Sequence, residues 1–156
     1  GEQTGSAKFS NMFYKFVYAS PGYSYIGWNN EHEIFKDPQV RRAMTHMVDR
    51  KKIVEKLYFG LGKIITGPFF PYGKQYNKDL VPHEFNVKKA RKILSDAGWK
   101  DTNGDGILDK DGKKFKFNYL YPSSSKVRER LGTILKEDLL KIGVVMDITK
   151  MEWQHF

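Results

Sequence analysis

The sequence predicts an α/β lobe: a small mixed sheet packed with about four helices. Three observations carry this prediction. KFKFNYLYP (residues 114–122) alternates, placing Phe115, Phe117, Tyr119 and Tyr121 on one face as a strand does. A helical stripe of Val127, Leu131, Ile134, Leu135 and Leu139 follows, and Gly143 gives a tight exit into a second apolar run, Val144 to Ile148. Strand, long helix, strand is the signature of a right-handed parallel crossover. The remaining apolar residues recur mostly at helical rather than strand spacing.

Taken in order, residues 1–22 read as a loosely ordered lead-in. They start polar (GEQTGSAK), then turn aromatic at Phe13, Tyr14, Phe16 and Tyr18, a segment expected to lie on the surface of the core. Ser20-Pro21-Gly22 marks a turn. YSYIGWN (Tyr23 to Asn29) is expected as a strand, with Tyr23, Tyr25 and Asn29 on one face and Ile26 and Trp28 on the other. Asp37-Pro38 opens a helix, Asp as N-cap and Pro at the first helical position. Val40, Ala43, Met44 and Met47 give it one buried stripe. Asp49 caps a second helix that turns Ile53, Val54, Leu57 and Tyr58 inward and stops at Gly60 and Gly62. Residues 67–84 hold three prolines and no period; a loop of that length is functional or packed by its own aromatics, here Phe69, Phe70, Tyr72 and Tyr76. Asn86 caps a third helix with Ala90, Ile93, Leu94 and Ala97 inward and Gly98 as its stop. Ser124 or Ser125 caps the fourth. Residues 23–156 thus make one lobe.

Composition narrows the function. The chain has 156 residues, 40% hydrophobic and 15% aromatic, enough to bury a core. It has no cysteine, which excludes disulfides, thiolate zinc sites and Cys nucleophiles. No run approaches the roughly 18 apolar residues of a membrane helix. The first residues do not read as a secretory leader, which leaves export open. The net charge of +9 raises the class of basic modules that bind nucleic acid or an acidic polymer. The basic residues come as scattered pairs, Arg41-Arg42, Lys51-Lys52, Lys88-Lys89, Arg91-Lys92 and Lys113-Lys114, mostly on helices. That pattern is expected of a solvated outer face, so nucleic acid is not the expected partner. The four His (32, 46, 83, 155) lack metal spacing, and the chain shows no Ser-His-Asp set, phosphate-binding glycine loop or paired carboxylates. An enzyme is not expected.

DTNGDGILDKDG (residues 101–112) carries ligand-like spacing for calcium: Asp101, Asn103, Asp105, Gly106 at the turn, the carbonyl of Ile107, and Asp109 through a water. The twelfth position is Gly112, where the bidentate Glu belongs. A strand rather than a helix follows, so the loop is not an EF-hand. It reads either as a weak calcium site, on the order of 10⁻⁴ to 10⁻³ M, or as a turn rich in side-chain to backbone bonds. No other cofactor is expected.

Four stretches in this order resemble one family. FKDPQVRRAMTHMVDRKKIVEKLYFGLG resembles an F-x-D-x-x-V-R-x-A helix followed by a D-R dipeptide that opens the next helix. YSYIGWN resembles the strand before it. FNVKKARKILSDAGWKDTNGDGILDKDGKKFKFNYLY resembles a K-A-x-x-L-L-x-x-A-G-W helix with its acidic turn and strand. LKEDLLKIGVVMDITKMEWQHF resembles an L-x-x-I-G close with a W-x-x-F ending. The family is that of the bacterial extracellular solute-binding proteins, family 5, of the oligopeptide, dipeptide and nickel type. The resemblance covers about Tyr23 to Phe156.

That resemblance implies a type II periplasmic-binding-protein fold, of which this chain is an excised second lobe. It implies an exported protein, periplasmic or on the cell surface, with a signal peptide and often a lipid anchor in full length. Its partners would be a peptide or similar small solute, the other lobe, and the permease of an ABC importer. A calcium-organised structural domain and a basic interaction module stand as alternatives. On the residues, Asn29 matches the family's strand-end Asn and offers donor and acceptor to a peptide backbone; otherwise it makes an Asx-turn. Tyr25 lines the cleft or packs in the core. Trp28 belongs to the core or reaches the cleft mouth. Trp99 and Trp153 are expected as structural anchors.

Overall fold

A computed structural model describes residues 5–155 apart from 15, 17 and 20. The opening GEQT, Ser20 of the expected turn and Phe156 of the W-x-x-F ending lie outside the described residues. The elements are α1 (Ala7–Met12), α2 (Pro38–His46), α3 (Arg50–Tyr58), α4 (Val87–Asp96), β1 (Asp109–Lys110), β2 (Lys113–Lys114), β3 (Lys116–Pro122), α5 (Lys126–Leu140), β4 (Val145–Met151) and a 3₁₀ turn at Trp153–His155.

Each expected cap closes its helix. Asp37 accepts from Gln39 N–H, Asp49 from Lys52 N–H, Asn86 from Lys89 N–H and Ser125 from Arg128 N–H. Such caps stabilise by about 1 kcal/mol each. Gly98, at φ +89°, ends the α4 segment.

Strands β3 and β4 run parallel in register from Lys116 opposite Val145 to Pro122 opposite Met151, with α5 as the crossover. A separate short hairpin joins β1 to β2. Among the described residues, neither outer edge of the β3–β4 pair carries a further strand. The expected alternation holds: Phe115, Phe117 and Tyr121 are buried while Lys116, Asn118 and Leu120 are exposed.

The core is one cluster. Val40, Ala43, Met44 and Met47 of the α2 segment meet Ala90 and Leu94 of α4. Beneath them Trp99 packs on Phe115 at 4.5 Å between ring centroids, and Phe35 packs on Phe117 at 5.1 Å. Leu135 and Leu139 of α5 close it with Val144 and Met146. Each such side chain contributes about 1.5–3 kcal/mol on burial. α5 crosses the sheet at a notch: Gly132 is buried, and a Cβ there would stand 2.9 Å from the Tyr119 ring.

Two expectations fail. Residues 23–29 form no strand: among the described residues no ladder joins them to another segment. Their side-chain alternation survives without it: Ile26 and Trp28 pack on the core and Tyr23, Tyr25 and Asn29 are exposed. The lead-in holds a six-residue helix, α1, capped by Ser6. Its aromatics do not lie on the core; Phe13, Tyr14, Phe16 and Tyr18 are all exposed.

Candidate functional site

The stretch from Tyr23 to Asn29 is fixed from below. Trp28 sits on Phe35, ring centroids 5.0 Å apart, and edge-on to Phe117 at 6.1 Å. Of its two readings, the core one fits. With Trp28 and Ile26 holding the segment down, Tyr25 stands 79% exposed and Tyr23 half exposed, their rings 5.9 Å apart. Gly27 lies beneath Tyr25, where an added Cβ would already touch the ring at 3.5 Å. The Tyr58 hydroxyl at the end of α3 donates to Ser24 Oγ at 3.2 Å, pinning the segment's other flank.

Asn29 makes an Asx-turn. Its Oδ1 accepts the Glu31 N–H at 3.0 Å, and its carbonyl accepts the His32 N–H at 3.1 Å. Its Nδ2 makes no hydrogen bond among the described residues, so donor capacity remains for a ligand.

Tyrosines continue across the layer. Tyr119 and Tyr121 of β3 stack with centroids 6.0 Å apart, and the Tyr119 hydroxyl donates to the Arg128 carbonyl at 3.2 Å. Burial pushes the Tyr119 phenol above its usual range, and the neighbouring Tyr121 and Tyr58 add to this against the opposing pull of Arg128. The phenol therefore stays neutral and serves as a hydrogen-bonding group.

The carboxyl ends of β3 and β4 form a second polar rim, where open α/β layers expose their ligand crevice. Ser123 N–H donates to Met151 O and its hydroxyl to Glu152 Oε1, both at 2.8 Å. Trp153 follows and is 69% exposed, so it is no buried anchor; Trp99, at 7%, is one. Burial separates these two tryptophans because Trp99 precedes a core strand while Trp153 follows the last one. Sequence reasoning missed Ser123 and Glu152. The parallel crossover was the signal that pointed to them, since it identifies which strand ends face outward.

The acidic loop is closed from within. Asp101 accepts from the N–H groups of Gly104 and Gly106, Asp105 from Ile107 N–H, and Asp109 from the backbone and hydroxyl of Thr102. Lys114 Nζ reaches Asp105 Oδ2 at 2.5 Å. The Lys114 ammonium, with the Ile107 N–H, holds the Asp105 carboxyl below its ordinary range. Among the described residues, no group of three or more His, Cys, Asp or Glu is arranged to hold a metal. Two shallow cavities, about 270 and 280 Å³, open on the surface: one at the foot of the acidic loop between Asp101, Trp99 and Ile142, one between Lys52, Phe85 and Asp138.

A layer that exposes Tyr23 and Tyr25 and carries no further strand on either edge of its β3–β4 pair fits one wall of a two-part enclosure. The comparisons agree. Residues 2–156 match the family described as bacterial extracellular solute-binding proteins, family 5 middle, and the chain belongs to that family. It is 48% identical over 133 residues to the oligopeptide-binding protein AppA of Bacillus subtilis, covering 84% of this chain and 24% of that protein. The solved structure of AppA in complex with a nonapeptide superposes with a TM-score of 0.79 at 45% identity, over 83% of this chain and 26% of that one. NikZ of Campylobacter jejuni, solved with Ni(L-His), gives a TM-score of 0.77 at 31% identity, over 83% of this chain and 26% of that one. The chain spans about a quarter of the length of these relatives. The fold is thus part of a type II periplasmic-binding-protein lobe, in a family of extracellular solute binders rather than enzymes.

Proposed function

We propose that this chain is part of the ligand-enclosing lobe of a solute receptor that captures oligopeptides outside the cytoplasm and delivers them to an ABC permease. The observation that carries the peptide reading is the likeness to AppA over this lobe, at nearly half identity, in a structure that holds a nonapeptide. Tyr23, Tyr25, the Asn29 amide, Ser123 and Trp153 supply the wall: rings for apolar contact, amide and hydroxyl for the backbone of a bound chain. A solute held between two lobes gains contacts only in the closed form, so binding shifts an open–closed equilibrium. Bridging waters, which cost little, let side chains of different size share one pocket. The remaining lobe, the permease and a lipid anchor complete the assembly, and the chain itself performs no catalysis.

The test is native mass spectrometry of the complete protein, as purified and after addition of a mixed peptide pool. Retained or acquired masses of several hundred daltons support the reading. An unliganded protein that ignores peptides but takes up nickel–histidine would move it toward the chemistry of NikZ.

A further inference from the structure

The loop between α3 and α4 is tied down but not packed. At its start, Gly60 N–H donates to the Val54 carbonyl at 3.0 Å and Leu61 N–H to the Tyr58 carbonyl at 2.9 Å. At its end, His46 Nδ1 stands 2.8 Å from the Glu84 carbonyl, and Asn86 N–H donates to the His46 carbonyl at 2.9 Å. Between these ties the loop folds on itself. Gly73 N–H donates to the Phe70 carbonyl at 2.9 Å, Thr66 N–H donates to the Tyr76 hydroxyl at 3.2 Å, and Lys63 Nζ stands over the Tyr72 ring, 4.3 Å from its centroid. Yet no residue from 59 to 86 is in the core cluster or among the half-buried side chains packed on it. Phe69, Phe70, Tyr72, Leu80 and Val81 are 41–85% exposed.

A fixed backbone that leaves such side chains in water forgoes the gain of burying them. Exposed apolar surface of this kind marks an interaction site. The charges argue against a lipid surface as the occupant. From 59 to 82 the cations are Lys63, which sits on the Tyr72 ring, Lys74 and Lys78, with Asp79 beside them. A polybasic patch that recruits anionic lipid holds about 4–8 cations. A large occupant is at hand in the chain itself: residues 1–156 span about a quarter of the length of the relatives, so about three quarters of such a protein lies outside them. The loop also springs from Tyr58, whose hydroxyl donates to Ser24 of the exposed wall, so it begins beside that wall. Faces that stay covered are more apolar than faces that part and re-form.

We propose that Phe69, Phe70, Tyr72, Leu80 and Val81 form a permanent seat for the remainder of the same polypeptide, covered whether or not solute is bound. The seat rests on the receptor reading for the existence of that remainder, and not on the choice of solute.

The test is thiol labelling of the complete protein. Residues 1–156 contain no cysteine, so Phe69→Cys and Tyr72→Cys each add a single reporter to this lobe. Lys92→Cys, on α4 where the native side chain is 76% exposed, gives the reference rate. Peptide mass spectrometry locates the maleimide label and separates these sites from any thiol elsewhere. Without added peptide, positions 69 and 72 are expected to react roughly tenfold more slowly than position 92, since reaction there waits on opening. Added peptide is expected to leave that ratio unchanged. Where a variant folds poorly, hydroxyl-radical footprinting of Phe69, Phe70 and Tyr72 in the unaltered protein gives the same readout. Equal rates at 69, 72 and 92 overturn the seat. So does slow reaction that appears only with peptide (a closure contact), only at high protein concentration (a second copy) or only with phosphatidylglycerol vesicles (a lipid surface). Slow reaction in a protein that ignores peptides would sink the solute reading and leave the seat standing.

Discussion

Gly143 turns the chain from α5 into β4 at φ +79°, and an alanine Cβ there would stand 2.8 Å from the Gly106 carbonyl oxygen and 3.1 Å from Leu108 N. Both neighbours are backbone, and Leu108 N–H donates to the Gly143 carbonyl at 2.7 Å, so neither side can retreat without loosening that bond. Gly143→Ala therefore carries two costs. Left-handed backbone costs an L-residue about 1–2 kcal/mol. Overpacking adds about 1–3 kcal/mol. Reduced freedom of the unfolded chain returns about 0.4–1 kcal/mol. The net loss is roughly 2–4 kcal/mol, a fall of about 5–15 °C in Tm for a chain of this size. Gly104→Ala is the control: its φ is +78°, but nothing lies within 4 Å of the added carbon. It should cost about 1 kcal/mol or less. Thermal unfolding of both variants by circular dichroism is the assay. Equal shifts would refute the close approach of the acidic loop to this corner, because φ alone cannot distinguish the two glycines.

Asp138 is buried on α5 between Lys52 at 3.3 Å and Lys141 at 2.7 Å. Burial pushes its carboxyl up, but hydrogen bonds from Lys141 and Lys52 outweigh this and hold it below its ordinary range. Its contribution is thus complete above pH ~4 and lost as pH falls through the folded-state pKa. Asp138→Asn should cost about 1–2 kcal/mol at neutral pH, since both lysines are partly exposed, and should flatten the acid limb of urea-unfolding stability. Melting midpoints in excess calcium and in chelator should coincide, because the 101–109 carboxylates already accept from backbone amides and Lys114; a rise with calcium would instate an ion there. Tyr25→Ala should leave folding within about 0.5 kcal/mol yet weaken peptide binding roughly fivefold by calorimetry, as loss of a rim contact of about 1 kcal/mol does. Trp28→Ala should do the opposite first, costing about 3 kcal/mol of stability, because its ring lies on Phe35 and Phe117.

Local rules were readable wherever the chain answers only to itself. Asp37, Asp49, Asn86 and Ser125 cap because a short polar side chain reaches its own helix start, whatever surrounds it. Phe115, Phe117 and Tyr121 turn inward because a pleat has period two. The parallel crossover was readable because one long stripe and one glycine exit leave few topologies. Residues 23–29 show where this stops: the alternation declares two faces, but a strand exists only beside another backbone, and no local pattern supplies one. The lead-in fails for the same reason. Phe13 and Tyr18 are apolar enough to be buried, yet burial needs a surface to receive them. Trp153 and Trp99 look alike in sequence, and only the end of the sheet distinguishes an anchor from an exposed ring. At the site, Tyr25 and Asn29 were legible as exposed candidates, whereas Ser123 and Glu152 became visible only once β3 and β4 lay side by side.

The two-stranded ladder has a practical corollary for anyone handling this lobe by itself. Alternate amides along the flanks of β3 and β4 form a template on which any extended peptide, including the same segment of another copy, can zip. Lys116, paired with Asp147 at 3.0 Å, and exposed Lys150 are the guards against that association. Solutions concentrated at high salt, where those charges are screened, are where such a preparation should first cloud or gel.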